Sequence, residues 1–268
     1  MTSFQKIIKY IAMAFAIFLA IGIFTGILGA FTVANFIFGE KENIVGEMKT
    51  YSVSNQITQL DVDLNVAEVN IKTGNKLRVE SNHKNLVVKE KNGTLQVSEK
   101  KKFFTTKIGK ASVEIYLPEG KTLEKAEVST GLGGAKIEGL NCGKFDFSQG
   151  VGRTEILKTV ITQKAEIDSG VGVIKLKSCS FSNAEINNGI GFASYSGKMN
   201  EKCSFDSGIG ACEIVLSGNE SDYSVEIGNG IGFVTVNGQK AFDGNDFGTG
   251  KNDIECDNGI GRMKIIFG

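Results

Sequence analysis

The sequence predicts an all-β protein: a single-stack β-solenoid of the β-helix or β-roll type, preceded by one N-terminal transmembrane helix. Three observations lead to this fold class. A long uncharged stretch lies near the N-terminus, glycine is frequent (34 of 268 residues) while proline occurs once, and a Gly–aliphatic–Gly triplet recurs seven times. Hydrophobic residues make up 41% of the chain, which is enough for a packed core.

The N-terminal stretch has the length of a membrane span. No charged residue occurs from Tyr10 to Gly39, and a helix needs about 20 apolar residues to cross a bilayer. Lys6 and Lys9 precede the stretch and a mixed-charge segment follows at 40–42, so the positive-inside rule places the N-terminus in the cytoplasm. A cleaved signal peptide is the alternative, because the small residues 32–34 resemble a cleavage site.

The repeated triplet defines the rest of the chain. Its seven copies are Gly131-Leu132-Gly133, Gly150-Val151-Gly152, Gly170-Val171-Gly172, Gly189-Ile190-Gly191, Gly208-Ile209-Gly210, Gly230-Ile231-Gly232 and Gly259-Ile260-Gly261. The first glycines are separated by 19, 20, 19, 19, 22 and 29 residues. A unit of this length cannot bury its apolar face alone, so neighbouring units must stack.

Each repeat reads as strand, corner, strand and a short return. The flanking segments, such as AEIDS before a triplet and VIKLK after it, alternate in polarity as half-buried strands do. Glycine suits the corner because it permits positive φ and close approach of the coil below. We expect the aliphatic residue of each triplet to point inward as a stacked ladder. Asp or Asn two residues before the triplet suits turn formation, at Asp168, Asn187, Asp206 and Asp257.

The domain organisation follows from these patterns. The predicted segments are a cytoplasmic N-terminus (1–9), the transmembrane helix (10–38), a linker (39–50) and the solenoid (51–268), which divides into irregular leading strands (51–120) and regular repeats (121–268). Within the leading strands, Leu60–Gly74 alternates cleanly, Asn92-Gly93 marks a hairpin, and Ala111–Leu117 meets a turn at Pro118.

This arrangement resembles the bacterial putative-adhesin family of unknown function. The features that carry the resemblance are one transmembrane helix, a strand running into Leu117-Pro118-Glu119-Gly120, and repeats of the form S/N-G-V/I-G over about residues 50–268. The resemblance implies a β-solenoid on the cell envelope, often of Gram-positive bacteria. It implies fold and location more than an activity. The five cysteines and the long step before the last triplet depart from the family pattern.

The cysteines and the single histidine, His83, limit the chemistry that the chain offers. Cys203, Cys212 and Cys256 occupy inward strand positions, where they are expected to act as small core hydrophobes. Cys203 and Cys212 flank one corner, so a disulfide between them is a second possibility outside the cell. No C-x-x-C pair accompanies His83, and we expect no zinc site and no cofactor.

Candidate binding residues lie on the outer surface. Phe192 and Phe233 occupy equivalent repeat positions two repeats apart and predict an aromatic stripe for a partner or glycan. Asp243, Asp246 and Asp253 belong to a Gly/Asp-rich loop at Ala241–Asp253, where hard oxygen ligands are clustered. A basic run at 100–110, around two phenylalanines, is either a contact for anionic polymer or lipid or a solvated edge.

These observations favour a membrane-anchored, extracytoplasmic module for binding, adhesion or envelope interaction, without catalysis. Its expected partners are membrane lipid, through the helix, and an envelope polymer, glycan or protein. Thirty basic and thirty acidic residues cancel, which argues against nucleic acid. A self-associating structural or signalling scaffold is the alternative, because the final repeat ends in IIFG without a polar cap. A carbohydrate-active β-helix enzyme is the third hypothesis and requires paired carboxylates in a groove.

Overall fold

A computed structural model describes residues 44–54, 56–100 and 111–268. The described chain is almost entirely β-structure, joined in one 15-stranded sheet, with a short 3-10 turn at Glu220–Asp222. The helix expected over residues 10–38 lies outside the described residues. Among those that are described, no helix has the length and apolarity needed to cross a bilayer.

The strands run in chain order as follows: β1 Val45–Ser52, β2 Gln59–Gly74, β3 Arg78–His83, β4 Leu86–Lys91, β5 Thr94–Glu99, β6 Ser112–Pro118, β7 Thr122–Glu138, β8 Asn141–Leu157, β9 Val160–Ser182, β10 Ala184–Asn200, β11 Lys202–Leu216, β12 Tyr223–Val236, β13 Gln239–Ala241, β14 Asn245–Phe247 and β15 Asn252–Phe267.

The seven triplets lie in seven parallel strands and are stacked in register. Each strand runs continuously through its corner, so Gly152, Gly172, Gly191 and Gly210 pair in sequence across β8 to β11. At Gly172, φ is +141°, and the carbonyl oxygen of Gly152 occupies the place of a Cβ. Close backbone stacking at the corners therefore requires glycine, as the sequence predicts.

The order of the strands differs from the order of the repeats. The spatial order is β7-β8-β9-β10-β11-β15-β12, so the last repeat lies between the fifth and the sixth. Ile260 of β15 pairs with Ile209 on one side and with Ile231 on the other. The expectation that successive repeats simply follow one another along the stack is wrong at this point. The 29-residue step between the last two triplets contains the connection from β12 to β15, which includes β13 and β14.

The same connection covers the end of the stack. β13 pairs antiparallel with Val234–Val236 of β12, and β14 pairs antiparallel with Val225–Ile227. Both halves of the β12 edge are thus occupied by short strands, which is one of the ways in which proteins block edge-to-edge association. The expectation of an uncapped end at the final repeat is therefore wrong, because β15 is interior to the sheet and β12 carries the cap.

The leading strands close the other end. β2 continues the repeat register without a glycine corner, with Val66 opposite Leu132. The edge of β2 that faces away from β7 pairs with β5 before the bend and with β6 after it. β4 and β5 form the expected hairpin at Asn92-Gly93, both with positive φ. The outermost strand, β1, is largely exposed and carries charged residues.

The corner side chains do not point inward as expected. Leu132, Val151 and Ile190 are 37%, 41% and 44% exposed, although they remain stacked in register. The inward residue is instead the one before each triplet, so the ladder that was expected to be aliphatic is polar. Its buried members are Thr130, Gln149, Ser169, Asn188, Ser207 and Asn258.

The core is built from the inward side chains on both sides of the corner. Tyr195, after one corner, packs against Phe205, before the next, with ring centroids 5.5 Å apart. All five cysteines are buried and have free thiols. This confirms the interpretation of Cys203, Cys212 and Cys256 as core residues, and the possible Cys203–Cys212 disulfide is not formed.

Candidate ligand-binding face

The strand halves before and after the corners present two outward faces with different chemistry. Before the corners, one row of cross-strand neighbours is acidic at every position but one, and we call it the acidic row. Its members are Asp61, Glu127, Asp146, Glu166, Glu185, Ser204, Glu255 and Glu226. Lys125 and Lys164 form ion pairs with part of this row.

Like charges on adjacent strands affect the acidic side chains. Partial burial and the carboxylates of Glu166 and Glu127 raise the pKa of Asp146 above its ordinary value. In the next row, partial burial and the adjacent Asp257 raise the pKa of Asp206. Asn187 relieves the same row by donating a hydrogen bond of 2.8 Å to Asp168. This face therefore repels anions.

After the corners, the first outward row is formed by apolar and basic side chains, and we call it the Phe–Arg row. Its members in spatial order are Gly134, Arg153, Val173, Phe192, Ala211, Arg262 and Phe233. The chain contains only three arginines, and two of them lie in this row. Three strand spacings separate Phe192 from Phe233, or about 14 Å along the stack.

A depression of about 290 Å³ opens on this row, and we call it the Phe–Arg depression. Phe192 and Phe233 flank it, while Ala211 and Arg262 lie between them. Phe233 is 49% exposed. Lys264 and Glu213 form an ion pair of 3.2 Å at its border. The side chain of Arg262 makes no hydrogen bond or ion pair with any described residue, so its guanidinium is available to a ligand.

A second depression, of about 410 Å³, lies on the same face but on strands β7, β8 and β9. Its charged lining consists of three lysines and two glutamates, and Lys158 forms an ion pair of 3.1 Å with Glu138. Lys175 and Lys177 have no ion-pair partner within the described ranges. Both depressions of this face therefore carry a small excess of positive charge.

The predicted surface residues have different surroundings in the structure. Phe192 and Phe233 lie in one row, although β15 and β11 separate them. Asp243 accepts a hydrogen bond from the Asn229 backbone N–H at 3.1 Å, which anchors the capping connection. Asp246 lies in β14 and Asp253 at the start of β15. No cluster of His, Cys, Asp or Glu suited to a metal ion occurs in the described ranges.

Sequence reasoning missed the arginine of the depression and the gap beside it. The signal was present, because Ala211 and Arg262 are the first residues after their triplets, as Phe192 and Phe233 are. Arg262 joins the two aromatic residues only because β15 is inserted next to β12. Most of the basic run at 100–110 lies outside the described residues.

The single histidine has a structural position. His83 and Glu99 are buried, with Nε2 of His83 3.5 Å from Oε1 of Glu99. Glu99 also accepts hydrogen bonds from the backbone N–H groups of Asn65 and Val66, at the bend of β2. Burial alone would raise the pKa of Glu99, but the interaction with the His83 side chain and the two backbone hydrogen bonds outweigh it and hold the pKa below its ordinary value. The Glu99 carboxylate therefore stabilises the bend of β2, which is the first bend of the stack.

The family model for the domain described as Toastrack DUF4097 matches residues 57–232, which is well over half of the chain. The chain belongs to the Toastrack DUF4097 family. This confirms the resemblance seen in the sequence. The matched Toastrack region runs from the leading strands into β12, whereas Phe233 and Arg262 lie beyond it. The family is one of unknown function.

Solved structures similar to this Toastrack protein share little sequence with it. A "putative cell adhesion protein" from Clostridium sporogenes is 15% identical (83% of this chain, 99% of that chain, TM-score 0.38). A "putative adhesin" from Bacteroides fragilis is 14% identical (82% and 96%, TM-score 0.43). A "putative lipid binding protein" from Parabacteroides distasonis is 14% identical (83% and 96%, TM-score 0.39). No curated protein matches the chain.

Proposed function

We propose that the protein is a membrane-anchored, extracytoplasmic binding module that uses its post-corner face to hold a component of the cell envelope. The observation that carries this proposal is the Phe–Arg depression. There, two partly exposed aromatic rings and an unpaired arginine surround a gap left by Ala211. Aromatic side chains, phenylalanine included, and arginine are enriched at the centres of protein interfaces.

The anchored, outward orientation is part of the proposal. It is supported by the uncharged stretch at Tyr10–Gly39 and the lysines before it. The alternative of a self-associating scaffold was based on an uncapped end of the stack. That support is removed, because β13 and β14 cover the edge of β12.

The experiment uses cells that produce the full chain with a C-terminal tag. Protease added to intact cells should remove the tag and leave a cytoplasmic control protein intact. Protection of the tag in intact cells but not in lysed cells would overturn the outward orientation.

The same cells test the binding face. The double substitution Phe192→Ser with Phe233→Ser should reduce attachment to isolated cell envelopes. Met48→Ser is the control, because Met48 is 56% exposed but lies on β1, at the opposite end of the sheet. Equal attachment by all three proteins would show that the depression is not the binding surface.

A further inference from the structure

We propose that the Phe–Arg depression recognises an acidic sugar: a uronic-acid residue of an oligosaccharide whose carboxylate lies at Arg262 and whose ring packs on Phe233. The proposal rests on the proposed function and names the ligand class of the same site. It follows from the charge of the depression, from its aromatic residues and from its shape.

The charge of the depression favours a carboxylate. Lys264 neutralises Glu213, so Arg262 supplies the remaining charge of the lining. Its guanidinium is planar and presents paired N–H donors that match the two oxygens of a carboxylate. The acidic row lies on the other side of the corner and repels the same ligand. An anion is therefore directed to the post-corner face.

The aromatic residues favour a sugar ring over a small inorganic anion. Phenylalanine offers no hydrogen bond, and its electron-rich face attracts the C–H groups on the apolar side of a pyranose ring. Phe233 is next to Arg262 in register, one strand spacing away, or about 4.8 Å. A single uronate residue can thus contact both side chains at once.

The shape of the row favours an oligosaccharide over a single sugar. Ala211 leaves space between Phe192 and Arg262, and the two aromatic rings are separated by about 14 Å along the stack. A chain of a few sugar rings laid across the strands covers this distance and contacts both phenylalanines. Arg153 lies farther along the same row and extends the path toward Lys175 and Lys177.

The test measures binding of the full-length protein, in nanodiscs, to three probes. The first is a hexamer of galacturonate. The second is the same hexamer with its carboxylates reduced to alcohols, and the third is linear polyphosphate. We expect the galacturonate hexamer to bind at least about tenfold more tightly than its reduced form, because a carboxylate–arginine pair is a charge-assisted interaction.

Three variants separate the contributions of Arg262 and Phe233 to binding of the hexamers. Arg262→Gln should abolish the preference for the acidic hexamer over the reduced one, while Phe233→Ser should weaken binding of both. Lys89→Gln, at an exposed position on β4, removes one positive charge at the other end of the sheet and should change nothing. Arg262 and Phe233 are both exposed, so these proteins should fold. If Phe233→Ser does not, the comparison with Arg262→Gln still decides the proposal.

The outcomes distinguish this proposal from the proposed function. Equal binding of the acidic and reduced hexamers would overturn carboxylate recognition. Tight, phenylalanine-independent binding of polyphosphate would replace sugar recognition by general attraction of anions. If the acidic hexamer does not bind but envelope attachment still depends on Phe192 and Phe233, the sugar class is wrong and the binding module stands. If the acidic hexamer does not bind and envelope attachment does not depend on Phe192 and Phe233, both proposals are overturned.

Discussion

Gly261 of β15 lies in register with Gly210 of β11, although 50 residues and a complete repeat separate them in the sequence. The carbonyl oxygen of Gly210 occupies the position that a Cβ of Gly261 would need, and φ of Gly261 is +137°. The corner of the last repeat is therefore as tightly stacked as those of the consecutive repeats. It joins the main stack to the capped end.

Substituting Gly261 with alanine tests this contact. Gly261→Ala should lower the free energy of unfolding by about 3 kcal/mol or more, from backbone strain and overpacking together. Gly268→Ala is the control, because nothing lies within 4 Å of a Cβ there. Chemical denaturation measures both, and equal stability of the two variants would show that the corners are not close-packed.

The stacking of this fold was predictable, but the order of stacking was not. The triplets predict parallel corners, and Asn92-Gly93 predicts the β4–β5 hairpin correctly, since both signals are local. The place of β15 depends on which of several nearly equivalent strands it pairs with. All the repeats carry the same alternation and the same glycines, so their registers are interchangeable in the sequence. Only the 29-residue step before Gly259 distinguishes it.

The inward and outward sides of the corner were also not predictable from polarity. Val171 is apolar, which favours the inside, but the preceding Ser169 is the residue that the bend turns inward. The next buried residue after Ser169 is Ile174, five positions later, and because this number is odd the corner shifts the alternation by one. The same shift places Phe192 and Arg262 on the outer surface.

The polar ladder yields a prediction about stability. The hydroxyl of Ser207 is buried without a hydrogen-bond partner in the described structure. Ser207→Ala should therefore leave the free energy of unfolding unchanged or raise it by up to about 1 kcal/mol. Ser81 is the matched control, because its hydroxyl donates to the Ser112 carbonyl oxygen at 2.7 Å and accepts from the His83 N–H.

Ser81→Ala should lower the free energy of unfolding by about 1–3 kcal/mol, because it leaves buried groups without partners. Urea denaturation of the two variants gives the comparison. A loss at Ser207 as large as that at Ser81 would mean that the ladder hydroxyl is satisfied in solution, for example by a water molecule.

The lowered pKa of Glu99 predicts how the free energy of unfolding depends on pH. Its pKa lies below the ordinary value of 4.5 when the chain is folded, so the unfolded chain takes up the proton first. Its stabilising contribution is complete above about pH 4.5 and disappears as the pH falls through the lower folded pKa. At pH 7, Glu99→Gln should cost about 1–2 kcal/mol, and the difference from the native chain should shrink below pH 4.5. A difference independent of pH would contradict this.

The ionised carboxylate of Asp206 should affect stability in the direction opposite to that of Glu99. Its pKa is raised by partial burial and by Asp257, so the folded chain binds the proton more tightly and the ionised carboxylate opposes folding. Asp206→Asn should raise stability at pH 7 by less than about 1 kcal/mol, since solvent screens the repulsion. The gain should vanish near pH 3 and decrease with added salt. A loss of stability at pH 7 would show that the carboxylate has a stabilising partner.

The five cysteines should be unreactive in the folded protein. Burial raises the pKa of Cys142 and Cys212 to about 12 and that of Cys179 to about 11, so hardly any thiolate forms at neutral pH. Iodoacetamide should label none of the thiols in the native state and all five after denaturation. The mass should not change after exposure to air. Loss of 2 Da, or rapid labelling of any cysteine in the native state, would contradict the buried, reduced arrangement.

The insertion of β15 between β11 and β12 has a consequence for how the protein is made. A solenoid whose coils follow the order of synthesis can add each coil to the finished part as it leaves the ribosome. Here β12 is synthesised before the strand that connects it to β11, so it cannot take its native place in the stack until residues 252–267 arrive. Nascent chains that stop at Val236 should therefore have the native strand order only as far as β11, and completion of the native stack is a single late event.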